Sequence, residues 1–349
     1  MCRTKRSANK AMPIRGNLGN KMKFQFLENS LAAFFAFILL VLSCKDAPEK
    51  KNAHDNFNNH DKGVSLIILG TLQDAGSPHI ACRKDCCVNL FKNPDTTRKV
   101  VSMGVIDSQN QKTFLFEATP DITEQLKPLK NASSWEANEI PNGLFLTHAH
   151  IGHYAGLMYL GKEATNAKNV PVYAMPKMKG FLEQNGPWSQ LVSDKNIAIK
   201  SITDGQEIRL TSNIEVIPFT VPHRDEYSET VGYKIVGPNK SALFIPDIDK
   251  WAKWETNIVD EIAKVDHAFL DGSFFSAEEI NNRDISEIPH PFVSESLELF
   301  KNLVPSEKKK IHFIHFNHTN PLLNPDSRQS QEVLKKGFRI ARANDRYDL

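Results

Sequence analysis

The sequence predicts an α/β protein in which two β-sheets pack face to face and helices cover them. Two observations lead to this prediction. From residue 64 onward, short runs rich in β-branched and aromatic residues alternate with loops and helical segments, and these runs fall into two sets. Polar residues gather at the ends of the runs, where loops can carry chemistry on a rigid frame. No internal repeat is visible.

The predicted strands form a first set and a second set along the chain. The first set covers residues 64–69, 101–106, 113–117 and 143–146. The second set covers 171–174, 196–202, 207–210, 214–221, 230–236 and 242–245, followed by 267–270 and 310–316. Helices are predicted over 154–161, 177–185, 250–264, 293–303 and 328–336. The segment 281–292 is predicted to be a solvated loop. The alternative is a loop over the site in which His290 contacts substrate.

The N-terminal part of the chain is predicted to direct export. Residues 31–42 form an uninterrupted apolar run, which is too short to span a bilayer comfortably but has the length of a signal-peptide core. The run ends in VLSC, which resembles a bacterial lipobox and makes Cys44 the predicted lipidation site. Residues 1–43 are therefore predicted to be a leader and lipoprotein signal peptide, with an uncleaved short anchor as the alternative. The mature protein is expected to be exported and anchored to a membrane through its lipid.

The chain after the lipidation site divides into a tether and a folded body. Residues 44–62 are polar with almost no apolar content, and they predict a disordered tether. Residues 63–349 are predicted to form one folded domain. The formal net charge of the whole chain is only +2, and no long basic run carries interleaved aromatics, so a nucleic-acid partner is not expected.

Three of the five cysteines lie close together in the body. Cys82, Cys86 and Cys87 fall within six positions, whereas Cys2 lies in the leader and Cys44 is the lipid candidate. An odd, tight cluster is a poor disulfide framework for an exported protein and a better set of metal ligands. The alternative is a set of free buried thiols, which behave as small hydrophobic side chains.

A histidine cluster carries the clearest chemical signal. Residues 147–157 read THAHIGHYAGL, which contains His148, His150 and His153. Neutral imidazole binds zinc, iron and manganese well. Side chains at i and i+2 of an extended segment point to the same side, and Gly152 can ease the turn that returns His153. These three histidines can therefore converge on one or two ions.

Further candidate ligands follow the predicted strands in the second half of the body. His223, Asp247, His315 and His318 each come directly after an apolar run. A lone histidine at a strand end is more often a hydrogen-bonded structural residue. Several such positions in order after an HxHxxH cluster favour a metal centre instead.

The order and spacing of these residues resemble the metallo-β-lactamase family over residues 64–341. That resemblance implies an αββα sandwich of two mixed sheets flanked by helices. It also implies two catalytic metal positions that share a carboxylate. The implied ligands are His148, His150 and His223 for the first metal, and His153 and His315 for the second, with Asp247 bridging.

A narrower resemblance concerns two segments, LGTLQDAGSPHIACRKDCC (69–87) and IHFNHTNPLL (314–323). They are similar to the protein B group of pyrroloquinoline quinone biosynthesis and to the phosphodiesterases of phosphonate degradation. The phosphodiesterase pattern implies a structural zinc held by Cys82, Cys86, Cys87 and His318. The spacing here is C-x3-C-C rather than the usual C-x-C-x-x-C, and His79 is a substitute ligand candidate.

Gly152 departs from the family pattern, which has an aspartate at this place. That aspartate serves the second metal and orients or deprotonates the attacking water. Three alternatives follow: one tightly held metal, two metals of which the second is labile, or a site without hydrolytic power. Asp225 and Asp249 are close in sequence to ligands and are candidates for the missing base.

The predicted function is metal-dependent hydrolysis of an ester or phosphodiester through a metal-bound water, with Asp247 as the catalytic carboxylate. The expected cofactors are one or two catalytic zinc ions and one structural zinc, with iron or manganese as alternatives at the catalytic site. The expected substrate is a small molecule. One alternative is an oxidase or hydroxylase like the quinone-biosynthesis group. The other is a non-catalytic metal-binding lipoprotein.

Overall fold

The computed structural model describes residues 63–279 and 288–349. These residues belong to one compact unit. The predicted leader, the lipidation site Cys44 and the tether lie outside the described residues, as do residues 281–287 of the predicted loop. Within the described ranges, every helix is too short or too polar to cross a membrane.

The described residues form two mixed seven-stranded sheets, as the αββα prediction requires. The first sheet contains β1 (Val64–Gly70), β2 (Ser102–Asp107), β3 (Lys112–Phe116), β4 (Gly143–Phe145), β5 (Val170–Ala174), β6 (Ile197–Ser201) and β14 (Arg346–Asp348). The second contains β7 (Ile208–Arg209), β8 (Glu215–Thr220), β9 (Val231–Val236), β10 (Ser241–Ile245), β11 (His267–Asp271), β12 (Ile311–Ile314) and β13 (Arg339–Ile340). The spatial orders are β14-β1-β2-β3-β4-β5-β6 and β13-β12-β11-β10-β9-β8-β7. The prediction that the runs 171–174 and 196–202 belong with the second set is wrong, because β5 and β6 pair in the first sheet.

The main core lies between the two sheets. Phe116 and Phe145 of the first sheet pack against Tyr233 of the second, with ring centroids 5.3 and 5.5 Å away. All three rings are fully buried, and each stabilises the fold by about 1.5–3 kcal/mol relative to an exposed ring. The hydroxyl of Tyr233 also donates to the carbonyl of Leu146 at 2.5 Å. The sheets are therefore tied together directly beside the histidine cluster.

Helices cover the outer faces of the sheets. They are α1 (Asp85–Val88), α2 (Ile122–Asn131), α3 (Ile151–Tyr154), α4 (Pro176–Gln184), α5 (Trp188–Ser193), α6 (Ile258–Ala263), α7 (Val293–Leu299), α8 (Pro305–Lys308) and α9 (Arg328–Lys335). Short 3-10 turns lie at Ala155–Leu160, Trp251–Lys253, Ala277–Glu279 and Pro321–Leu323. Strand β1, between β14 and β2, is buried on both faces, since alternate side chains enter the core between the sheets and the core under the helices.

The predicted helix over 250–264 is wrong in its extent. The structure has a 3-10 turn at Trp251–Lys253 and a separate helix α6. Asn257 divides the two, because its side chain accepts a hydrogen bond from the backbone N–H of Val259 and so caps a new helix.

Candidate metal centre

The centre lies at the edge of the sandwich where several strands end. His148 and His150 follow β4, His223 follows β8, Asp247 follows β10, and His315 follows β12. Strands β10, β11 and β12 are parallel, and β8 shares their direction because β8 and β10 are both antiparallel to β9. Their carboxyl ends therefore meet at one edge. His153 reaches the same place from α3, which starts immediately after His150.

The first group of potential ligands consists of His148, His150, His223 and Asp247. The Nε2 atom of His148 lies 2.8 Å from Nδ1 of His150 and 3.3 Å from Oδ2 of Asp247. The Nε2 atom of His223 lies 3.2 Å from Oδ1 of Asp247. Zinc holds nitrogen and oxygen ligands at about 2.0–2.2 Å, which separates neighbouring ligands of a tetrahedron by about 3.4 Å. These spacings fit one ion.

The second group consists of Asp74, His153 and His315, with Asp247 at its border. The Nε2 atom of His153 lies 3.2 Å from Oδ1 of Asp74 and 3.6 Å from Oδ2 of Asp247. The Nε2 atom of His315 lies 3.7 Å from the same Asp247 oxygen. Asp247 therefore faces both groups, which is the position expected of a bridging carboxylate.

The inner atoms of the centre fit the presence of metal. The Nε2 atoms of His153, His223 and His315 and both carboxylate oxygens of Asp247 are buried without hydrogen-bond partners in the described part of the chain. Each unsatisfied buried polar atom costs about 1–3 kcal/mol. Five such atoms aimed at one another are stabilised when cations fill the space between them.

The outer nitrogens of four of the five ligating rings have fixed partners. The Nδ1 atoms contact Thr147 Oγ1 at 2.9 Å (His148), Glu117 Oε1 at 3.3 Å (His153), Asp249 Oδ1 at 3.2 Å (His223) and Ser273 Oγ at 2.8 Å (His315). Such contacts hold each ring in one orientation and make it a better ligand. Asp249 thus lies behind His223. Asp225, the other candidate base, is exposed and lies 3.7 Å from Lys177.

The electrostatics of the centre favour metal ligation at the first group. Burial lowers the pKa of His148 well below its usual value and that of His150 to about 4, so both rings are neutral at pH 7. Burial opposes ionisation of Asp247, but His223, His315 and His290 hold the pKa of this carboxyl well below its usual range. Neutral imidazoles and an ionised carboxylate are the forms that bind metal ions.

The cysteine cluster forms a second, separate set of ligands. The Sγ atoms of Cys82 and Cys87 each lie 3.8 Å from Sγ of Cys86. The Nδ1 atom of His318 lies 3.5 and 3.4 Å from the Sγ atoms of Cys86 and Cys87. A tetrahedral zinc with Zn–S near 2.3 Å requires S···S of about 3.8 Å and S···N of about 3.5 Å. The four side chains fit one structural zinc.

Adjacent Cys86 and Cys87 reach the same point because they lie in the short helix α1. His79, the substitute candidate, lies beside the set. Its ring packs on His318 with centroids 4.5 Å apart, and its backbone N–H donates to Sγ of Cys87 at 3.3 Å. His79 therefore supports the cluster from outside.

Comparison with known proteins agrees with this architecture. Residues 112–315 match the family described as the beta-lactamase superfamily domain. The chain belongs to the β-lactamase superfamily. Its two flanked sheets are those of the metallo-β-lactamase fold within that superfamily.

The chain also resembles individual proteins over most of its length. It is 24% identical over 305 residues to the coenzyme PQQ synthesis protein B of Methylococcus capsulatus, covering 79% of this chain and 97% of that protein. The corresponding protein of Gluconobacter oxydans is 23% identical over 303 residues, covering 80% and 96%.

Solved structures show the same fold at low sequence identity. Zinc-bound PqqB from Methylobacterium extorquens has a TM-score of 0.68 at 21% identity, covering 82% of this chain and all of that chain. A diphosphatase from the PhnP family has a TM-score of 0.56 at 21% identity, covering 82% and 97%. The short form of human tRNase Z has a TM-score of 0.51 at 14% identity, covering 81% and 98%.

One buried histidine of this metallo-β-lactamase fold was not expected from the sequence. His290 was predicted to lie in a solvated loop, but its side chain is buried. Its Nδ1 atom lies 2.8 Å from Oδ2 of Asp271 and 3.1 Å from Oδ1 of Asp247. The mostly polar residues 281–287 before His290 led to the loop prediction, whereas its own neighbours Ile288, Phe292 and Val293 are apolar and buried. Only the strand-end position of Asp271 could have pointed to a polar partner here.

Gly152 has a neighbour that the motif alone could not reveal. Its backbone N–H donates to Oδ1 of Asp74 at 3.1 Å. A Cβ atom at position 152 would lie 2.3 Å from that oxygen and 2.5 Å from Cα of Asp74. Lack of space, rather than the turn, therefore explains the glycine.

Proposed function

We propose that this protein is a metal-dependent hydrolase that acts on an ester or phosphodiester of a small molecule. The position of Asp247 between two groups of buried, unsatisfied ligand atoms supports this proposal most strongly. The fold supports it too, since two proteins of the same fold are called a diphosphatase and a tRNase Z.

Some residues of the centre would hold ions, and others would orient the ligands and reactants. His148, His150 and His223 would hold one ion, His153 and His315 the other, and Asp247 both. Divalent cations bound there would lower the pKa of a water ligand toward neutrality and polarise the oxygen of the scissile bond. Asp247 keeps its negative charge and would orient the reactants that lie between the two groups of ligands. Thr147, Glu117, Asp249 and Ser273 fix the imidazole rings so that the centre needs little rearrangement.

His150→Ala tests the proposal directly. Purified protein should hydrolyse bis(p-nitrophenyl) phosphate or p-nitrophenyl acetate in the presence of zinc or manganese. The variant should lose this activity by at least about a hundredfold while its circular dichroism spectrum stays unchanged. Activity equal to that of the original protein would overturn the assignment.

A second candidate function is metal-dependent oxidation or hydroxylation. It is favoured by the match to PQQ synthesis protein B relatives over nearly their whole length. His153, His315 and Asp247 also resemble the two-histidine, one-carboxylate set that suits non-haem iron. Oxygen consumption by the iron-loaded protein, without hydrolysis, would favour this candidate. Structural zinc alone and no turnover of either kind would favour a non-catalytic binding protein.

We also propose that the protein is exported and anchored to a membrane through Cys44. The apolar run and the VLSC sequence before it support this location. Cys44→Ser should move the protein from the membrane fraction to the soluble fraction of cells. A variant that stays in the membrane fraction would contradict lipidation at this residue.

A further inference from the structure

We propose that Asp74 is a ligand of the second metal, and that it supplies from the loop after β1 the carboxylate that position 152 lacks. The proposal rests on the metal centre proposed above, and it concerns a residue outside the HxHxxH motif. It implies that the second ion is held by two imidazoles and two carboxylates rather than by His153, His315 and Asp247 alone.

The first support is the position of the Asp74 carboxylate. Its Oδ1 atom lies 3.2 Å from Nε2 of His153, within the range that two ligands of one ion require. That Nε2 atom and Nε2 of His315 are both buried without hydrogen-bond partners in the described part of the chain. Ligand atoms of Asp74, His153 and His315 all lie within 4.8 Å of one another. The carboxylate therefore completes a cluster that already points to a cation.

The second support is the reciprocal fit between Asp74 and Gly152. A Cβ atom at 152 would meet Oδ1 and Cα of Asp74 at 2.3 and 2.5 Å, distances that real Cβ atoms do not adopt. The backbone atom cannot move aside as a flexible side-chain end could. An aspartate at 152 and Asp74 in its present place therefore exclude each other, and the two positions are alternative sources of one carboxylate.

The third support is that the Asp74 loop is attached to the segment carrying His315. The backbone N–H of Gln73 donates to the carbonyl of Phe316 at 2.9 Å, and the N–H of Phe316 donates to the carbonyl of Thr71 at 2.7 Å. These bonds involve Gln73 and Phe316, which are next to Asp74 and His315 in the sequence. The distance between Asp74 and His315 is therefore fixed before any ion binds. Preorganised ligands bind metal more tightly than ligands that must first be ordered.

Removing the carboxylate tests the proposal. Four proteins are compared as full chains: the original, Asp74→Gly, Asp74→Asn and Gly152→Asp. Zinc content is measured by mass spectrometry after dialysis, and zinc affinity by competition with a chromophoric chelator. Asp326→Asn serves as the matched control, because it removes an exposed carboxylate on the loop before α9.

The original protein and the control should each retain three ions. Asp74→Gly and Asp74→Asn should bind the second catalytic ion at least about tenfold more weakly. Gly152→Asp should unfold at a lower temperature because its Cβ would clash with the backbone of Asp74. The asparagine variant preserves shape, so it reports on charge even where the glycine variant folds poorly.

Full retention of the second ion by both Asp74 variants would overturn the proposal, as would failure of the original protein to hold two ions at the centre. Metal binding is read without substrate. If the original protein hydrolyses nothing but its Asp74 variants lose an ion, the result would support Asp74 as a ligand and would refute the proposed hydrolysis.

Discussion

Glu117 illustrates how single residues control the centre from behind the ligands. Its side chain is fully buried, and its carboxylate contacts Nδ1 of His153 at 3.3 Å and the backbone N–H of Thr147 at 3.4 Å. Burial opposes protonation of His153, but Glu117 and Asp74 raise the pKa of this ring well above its usual value. An ion must displace a proton from His153, so the orientation and basicity of this ring matter for binding.

Replacing Glu117 with glutamine should therefore affect the second ion selectively. Glu117→Gln preserves volume but removes the charge that makes His153 a strong ligand. Zinc affinity at the second position should fall by about tenfold to a hundredfold, while the first ion and the structural zinc stay bound. Competition titration with a chelator measures the three affinities. An equal loss at every position would show that the variant disturbs the fold instead.

At the scale of single residues, the sequence predicts most of the candidate metal ligands but not the residues that contact them. The HxHxxH cluster and the strand-end residues His223, Asp247 and His315 converge in space because the strands that precede them end at the same edge of the sandwich. Asp74 could not be identified from the sequence, and the burial of His290 could not be predicted from it. Each depends on tertiary contacts: the loop carrying Asp74 pairs with the segment after β12, and His290 lies against Asp271.

The elements were predictable where apolar periodicity is strong. Strands β1–β6 and β8–β12 coincide with the predicted runs to within one or two residues. Helix α2 was missed because Pro128 lies inside it and its mean hydropathy is low, and its buried face consists only of Ile122, Gln125 and Leu129. Strands β13 and β14 contain two and three residues, too few for a periodic pattern to show.

Strand β12 carries a buried histidine that makes stability depend on pH. The side chain of His312 is buried beside Phe269 and Tyr347. Burial, with smaller effects of His267 and Arg339, lowers its pKa from 6.5 to about 3. The unfolded chain therefore binds a proton at His312 that the folded chain does not bind. The free energy of unfolding consequently falls as the pH decreases from 6.5 toward about 3.

His312→Gln should remove this contribution. Between pH 6.5 and about pH 5, the original protein should lose roughly 2 kcal/mol more stability than the variant. Urea denaturation at several pH values, with both proteins in the same chelator-free buffer, measures the difference. Parallel pH profiles for the two proteins would contradict the neutral, buried state of His312.

The cysteine cluster brings together two distant parts of the described domain at this edge. Cys82, Cys86 and Cys87 belong to the long connection after β1, whereas His318 follows β12. A zinc ion shared by these residues would join the two sheets across more than two hundred residues of sequence. The same connection carries Asp74, so a structural ion would also stabilise the position of Asp74.

Cys86→Ser should therefore weaken both the fold and the centre. The midpoint of thermal unfolding should fall by roughly 5 °C or more, and the second catalytic ion should bind less tightly. Calorimetry and zinc analysis of the same samples measure the two effects. Free thiols that react fully with a thiol reagent in the native protein, together with an unchanged midpoint, would show that the cysteines hold no metal.

The most direct test of the central claim is anomalous diffraction at the zinc absorption edge from crystals of the zinc-loaded protein. The claim is that one buried centre holds two ions on either side of Asp247. Three peaks are expected: one near His148, His150 and His223, one near Asp74, His153 and His315, and one among the cysteines and His318. A peak at the cysteines alone, with none beside Asp247, would contradict the claim.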